Sequence, residues 1–121
     1  MWSLKRKIGN KVEDYALKYL KNKGLSLIER NYLTKYGELD LVMLDNNTLV
    51  FIEIRYRKKS DFGSAVETVN LKKQKKIINT AEYFLNEYEQ YQHYDCRFDV
   101  LGVDNILKYK NVSWIKNAFE L

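Results

Sequence analysis

Between Gly37 and Arg57 two β-rich runs meet at Asn46-Asn47, and few folds can accommodate such a stretch without building it as a hairpin. Asparagine is among the few non-glycine residues that tolerate the left-handed conformation a tight turn needs. With those two residues as the loop, Asp45 faces Thr48. The same register pairs Leu39 with Ile54, Leu41 with Ile52 and Met43 with Val50, making one face wholly apolar. On the other face Leu44 meets Leu49 and Val42 meets Phe51. Farther from the turn, Asp40 lies opposite Glu53 and Glu38 opposite Arg55. A slip of one residue would mix the two sets, so the pattern fixes the register.

Two carboxylates placed opposite each other repel, and something must compensate. A divalent cation does so most directly. Mg²⁺ in particular is commonly held by one or two carboxylates, with water and substrate phosphate completing its octahedron. The alternative is a wet sheet end at which Arg55 and Arg57 neutralise Asp40 and Glu53.

The remaining chain supplies layers for this hairpin. Ile8, Val12, Tyr15, Ala16, Tyr19 and Leu20 have the spacing of an amphipathic helix that Asn22 and Gly24 end. Glu13 flanks that stripe at the edge of the core. Gly9, one turn earlier, either leaves room for the Glu13 carboxylate or, with Asn10, starts the helix. Leu25 to Leu33 alternates as a strand leading into the hairpin. After a polar loop from Lys58 to Ser64, Asn70 is a candidate N-cap for a second helix with the stripe Ile77, Ile78, Ala81, Phe84, Leu85 and Tyr88. On that helix Gln74 points toward the sheet, to bond at the core edge or to contact ligand. Lys72, Lys75 and Lys76 point away, and Lys73 lies on the border. Cys96 to Val103 alternates as another strand, and Val112 to Ile115 could add an edge strand. Trp2 and Trp114 read as peripheral packing, His93 as a surface residue and the single cysteine, Cys96, as a small core residue. The order of elements predicts an α/β sandwich with helices on the sheet faces.

With 121 residues, one domain spanning 1–121 is expected. The net charge of +5 is concentrated in Lys5 to Lys7, in Arg55 to Lys59 and in Lys72 to Lys76, which suggests a polyanionic partner, although lysine-rich helices are often simply solvated. No apolar run is long enough to span a membrane and no signal-peptide pattern opens the chain, so a cytoplasmic protein without a membrane partner is expected. Phosphate loops, nucleophile elbows and Cys/His clusters are all missing from the sequence, so any catalysis must rest on carboxylates.

Gly9, Glu13, Ala16 and Tyr19-Leu20, Arg30-Asn31, Gly37 to Leu41, Phe51 to Arg57, Lys73-Gln74, Ala81 with Leu85, and Arg97 to Val100 together resemble the YraN-like family of small bacterial proteins. That family is similar to the restriction-endonuclease-like superfamily, including Holliday-junction resolvases, whose site signature is an Asp followed by Glu-x-Lys. The resemblance implies a restriction-endonuclease-like sandwich with a central mixed sheet. It further implies Asp40 and Glu53 as ligands of Mg²⁺ or Mn²⁺, Glu13 as a third carboxylate, Arg55 at the signature lysine and Gln74 as a further catalytic residue.

The expected function is a metal-dependent endonuclease acting on nucleic acid phosphodiesters, DNA ahead of RNA, with branched DNA as a candidate substrate. Lys58, Lys59, Lys72, Lys73, Lys75 and Lys76 would track the flanking backbone. An arginine at the signature position cannot act as a base and can only stabilise charge or hold phosphate. This leaves a non-catalytic nucleic-acid-binding module on the same fold as the alternative. Junction-cutting relatives act as dimers, and the apolar segment from Val112 to Phe119 is the candidate face for a homodimer.

Overall fold

The structure, a computed structural model, describes residues 2–57, 68–104 and 111–120, without the side chains of residues 2–9 and Arg57. The expectations placed on the Lys58–Ser64 loop, the phosphate-tracking Lys58 and Lys59, Trp2, the Lys5–Lys7 cluster and the side chains of Ile8 and Arg57 lie outside the described residues.

Helix α1 (Trp2–Asn22) is followed by strands β1 (Ser26–Thr34), β2 (Gly37–Asp45) and β3 (Thr48–Arg57), helix α2 (Leu71–Glu87), a short 3₁₀ turn (Glu89–Tyr91), and strands β4 (Asp95–Asp104) and β5 (Asn111–Phe119). The five described strands form one mixed sheet in the order β1-β2-β3-β4-β5. β1, β2 and β3 are antiparallel neighbours, β3 and β4 run parallel, and β5 closes the edge antiparallel to β4. A parallel neighbour cannot be reached by a tight turn, so α2 forms part of the β3-to-β4 crossover.

Each helix buries its stripe against a different face of the sheet. Val12, Ala16 and Leu20 of α1 pack on Leu41, Met43, Val50, Ile52, Leu101 and Val103. Ile77, Ala81 and Phe84 of α2 pack on Leu39, Val42, Leu49, Phe51, Phe98 and Val100. The result is the expected α/β sandwich. Helix α1 begins at Trp2, well before Gly9 and Asn10, which excludes those two as its start. It ends where Gly24 takes a left-handed φ of 99° and its N–H donates back to the Lys21 carbonyl. Asn70 caps α2 as expected, its side chain accepting the Lys73 N–H at 2.9 Å.

The β2–β3 turn has the expected geometry, with Asn46 at φ 55° and pairs running from Asp45–Thr48 to Leu41–Ile52. The register expected beyond that point needs correction. Leu39 packs with α2, whereas Ile54 packs with α1, so the two do not share one apolar face. Asn31 in β1 adopts a left-handed φ of 54° at this level, while the β1–β2 pairing keeps its register across it, from Arg30–Leu41 to Tyr32–Leu39; the register of β1 shifts only earlier, between Leu27 and Glu29. Beside it, the Asp40 carboxylate accepts the Ile54 N–H at 2.9 Å, a donor aimed at the β2 edge.

Two further expectations are corrected. Cys96 is exposed rather than in the core, because it lies in the first turn-proximal residues of β4, ahead of the buried run that begins at Phe98. Trp114 does more than pack at the periphery. Its indole N–H donates to Asp99 at 2.9 Å, and Asp99, fully buried, also accepts from Arg97 Nε at 3.1 Å and the Asn117 N–H at 2.9 Å. This carboxylate fastens β5 to β4 where Asn117, at φ 53°, interrupts the strand. His93 is exposed, as expected.

Candidate functional site

The irregular end of the hairpin is where the acidic residues gather. Glu53, in the middle of β3, faces α2 and is only 6% exposed. Burying a carboxylate requires counter-charge, and two cations supply it: Lys73 Nζ from the first turn of α2 at 3.6 Å and Arg55 Nε from the same strand at 3.7 Å. Asp40 reaches the pair from β2, with its carboxyl within hydrogen-bonding reach of Glu53. Desolvation and then the Glu53 charge push the Asp40 pKa up to about 8, against the opposing effect of the Ile54 N–H. Burial and the neighbouring Glu53 charge thus favour the protonated form of Asp40, as expected for like charges at such range.

The electrostatic strain extends outward. Glu38 is also shifted upward, first by desolvation and then by Asp40 and Glu13, with Lys73 working against these. Glu13 acts on Asp40 as well as on Glu38, which places α1, β2 and β3 in one acidic neighbourhood.

Glu13 itself is engaged elsewhere. Its Oε1 accepts from Arg30 Nε at 3.0 Å and from Asn31 Nδ2 at 3.0 Å, while Arg30 Nη2 also pairs with Asp14 at 2.7 Å. Among the described residues, no group of three or more His, Cys, Asp or Glu side chains is arranged to hold a metal ion. The structure thus brings Asp40 and Glu53 together and leaves Glu13, the expected third carboxylate, clamped beside them. Gln74 takes the first of its two expected roles. Its Nε2 donates to the Val69 carbonyl at 3.0 Å, bracing the approach to α2.

Arg55 anchors the segment before α2 from the other side, with Nη2 donating to the Thr68 carbonyl at 3.1 Å. Its Nε is buried and has no hydrogen-bond partner among the described residues. An unspent guanidinium donor beside two carboxyls is costly unless something else accepts from it. Lys72, Lys75 and Lys76 are exposed along α2, whereas Lys73 turns inward to Glu53.

Three roles were not legible in the sequence: the Arg30-Asn31 clamp on Glu13, the ion pair of Lys73 with Glu53, and the part Glu38 plays in the acidic cluster. The first had a usable signal. An asparagine inside an otherwise strand-like run marks a residue able to take a left-handed φ.

The model of the uncharacterised protein family UPF0102 matches residues 12–103, a span that holds Glu13, Asp40, Glu53, Arg55, Lys73 and Gln74. The chain belongs to that family. Relatives named UPF0102 protein include one from Stutzerimonas stutzeri, 45% identical over 112 residues and covering 93% of each chain. Another, from Coxiella burnetii, is 45% identical over 121 residues, covering 100% of this chain and 98% of the relative. A third, from Psychromonas ingrahamii, is 48% identical over 108 residues, covering 89% and 85%. Membership agrees with the resemblance to YraN-like proteins read from the motifs. No described helix is long and apolar enough to cross a membrane.

Proposed function

We propose that this UPF0102 protein is a metal-dependent endonuclease-like hydrolase of nucleic acid phosphodiesters, with branched DNA as a candidate substrate. The observation that carries the reading is the Asp40–Glu53 carboxyl pair, with Glu53 buried, Asp40 partly buried and the Asp40 pKa raised by burial and the Glu53 charge. Such a donor set fits a hard divalent cation, which would replace the Asp40 proton and relieve the repulsion.

Asp40 and Glu53 would hold Mg²⁺ or Mn²⁺, and the ion would supply Lewis-acid activation of water and neutralisation of phosphate charge. The protein's own residues do the rest. The Ile54 N–H fixes one Asp40 oxygen, so the carboxyl is aimed before any ligand arrives. The Arg55 guanidinium, ion-paired with Glu53 through Nε but partly exposed, is suited to a phosphate oxygen and would stabilise charge there without exchanging a proton. Lys73 keeps Glu53 oriented and adds a second positive charge. Arg30 and Asn31 hold Glu13 near Asp40 without letting it swing into the pair. Exposed Lys72, Lys75 and Lys76 offer non-specific contacts to the phosphate backbone.

Arg55 at the position of a lysine base also favours a second reading, in which the same fold binds nucleic acid without cutting it. Labelled four-way, flap, single-stranded and duplex DNA and RNA, incubated with Mg²⁺ or Mn²⁺ and either wild type or Glu53→Ala, separates the two. The proposal expects wild-type cleavage that the variant lacks. Cleavage by both proteins alike, or salt-sensitive binding by wild type with no cleavage of any substrate, would overturn it.

A further inference from the structure

One surface outside the acidic pair has the chemistry of a nucleobase platform. Tyr36, in the β1–β2 turn, and Tyr83, on α2, are 45% and 41% exposed and belong to neither core, yet their rings meet at 5.9 Å with planes tilted by 55°. At that tilt neither ring covers the face of the other. They line an open cleft of about 320 Å³ with Asn79, Asn86 and Glu82, which gives it two amides and one carboxylate. Lys35 Nζ lies over the Tyr36 ring, 5.3 Å from its centre, so a cation covers one face of that ring and leaves the other for a ligand.

The cleft is fixed in place by its backbone. Gly37, at a φ of 152° that other residues rarely adopt, lets the turn lie against α2, where a Cβ would come within 3.2 Å of Thr80 Oγ1 and 3.8 Å of Lys76 Cβ. The platform is also in line with the acidic pair. Lys73, Lys76, Thr80 and Tyr83 follow one another at spacings of three, four and three residues, which is a single face of a helix. From Lys73, paired with Glu53, to Tyr83 is ten helical residues, about 15 Å at 1.5 Å each, or roughly four nucleotides at a stacked spacing of 3.4 Å.

We infer that the Tyr36–Tyr83 cleft stacks an unpaired nucleobase of a strand whose backbone runs along Lys76 and Lys73 to the Asp40–Glu53 pair. This rests on the proposed nucleic-acid substrate and narrows it to substrates with a single-stranded segment beside the scissile phosphate. A paired base has no free face to offer the rings, whereas an unpaired base stacks on an aromatic whatever its identity. The amides of Asn79 and Asn86 are placed to meet base edges, and the lysines follow the phosphates.

The test is equilibrium binding of a short single-stranded oligodeoxynucleotide carrying 2-aminopurine, and of its blunt duplex, measured by anisotropy and 2-aminopurine fluorescence in EDTA. Tyr36→Ala and Tyr83→Ala should weaken single-strand binding roughly 5- to 100-fold and relieve the quenching of 2-aminopurine. Tyr36→Phe and Tyr83→Phe should keep both, and duplex binding should change by less than about twofold. Unchanged affinity and quenching in the alanine variants, or an equal loss for single strand and duplex, would mean that the tyrosines only clasp the turn to α2 and would overturn the inference. Cleavage that depends on Glu53, accompanied by alanine variants that bind like wild type, overturns the platform and leaves the catalytic proposal standing. Quenching lost in the alanine variants of a protein that cuts nothing supports the platform while the catalytic proposal fails. No binding to any oligonucleotide overturns the platform, while the cleavage assay with Mg²⁺ or Mn²⁺ decides the catalytic proposal separately.

Discussion

Replacing Asp40 by asparagine should stabilise the metal-free protein. Burial, and then the Glu53 charge, raise the Asp40 pKa from 3.8 to about 8, so folding favours a proton on Asp40 that the unfolded chain releases. The associated stability is fully present below pH 3.8 and is lost as pH rises through about 8. At about 1.4 kcal/mol per pH unit, the cost at pH 7 has an upper bound of about 4 kcal/mol. Relaxation and solvent around the partly exposed carboxyl should reduce it to about 2 kcal/mol. In Asp40→Asn, Oδ1 can still accept the Ile54 N–H, and Nδ2 can donate to Glu53, turning a repulsion into a hydrogen bond. Thermal melts in EDTA from pH 5 to 9 should show the variant melting higher, at roughly 3–5 °C per kcal/mol, with the gap widening as pH rises. Adding Mg²⁺ or Mn²⁺ should raise the wild-type midpoint most at high pH and leave the variant nearly unmoved. A variant less stable than wild type at pH 8, or parallel pH profiles for the two, would refute the raised Asp40 pKa as the source of the strain.

Other residues carry separable expectations. Lys73→Met removes a cation 3.6 Å from Glu53 and should cost about 1 kcal/mol, more at pH 8 than at pH 5, in the same melts. Asp99→Ala strands the indole N–H of Trp114, the Asn117 N–H and Arg97 Nε, and should cost about 3–5 kcal/mol in urea unfolding. Asn70→Ala deletes the cap of α2 and should cost about 1 kcal/mol in the same assay, without altering the pH profile.

Much of this architecture was written in local patterns. Asn46 announced the turn, the alternation of Leu41 to Met43 and Val50 to Ile52 set the pairing, and Asn70 marked the start of α2. Extending that register predicted Asp40 beside Glu53, and the two do meet, although regular β2–β3 pairing ends at Leu41–Ile52. What escaped was non-periodic. The switch of Leu39 to the α2 face accompanies a left-handed Asn31 and an Asp40 carboxylate that accepts the Ile54 N–H, and neither disturbs the sequence alternation. The clamp on Glu13 joins residues 17 and 18 positions apart, a distance no helix or hairpin period encodes. Asp99 looked like one polar residue in an apolar strand because its partners lie on β5. The resemblance implies Glu13 as a third metal-binding carboxylate, and nothing in its own sequence neighbourhood announces Arg30, which holds it beside the pair.

The central claim is that Asp40 and Glu53 form a proton-holding site for a divalent cation. Calorimetric titration of Mn²⁺ into wild type and Glu53→Gln at pH 7, in buffers of different ionisation enthalpy, tests it most directly, because the buffer dependence counts protons released. The account predicts saturable binding by wild type with release of up to about one proton, and loss of both in the variant. Binding without proton release, or identical titrations of the two proteins, would contradict it.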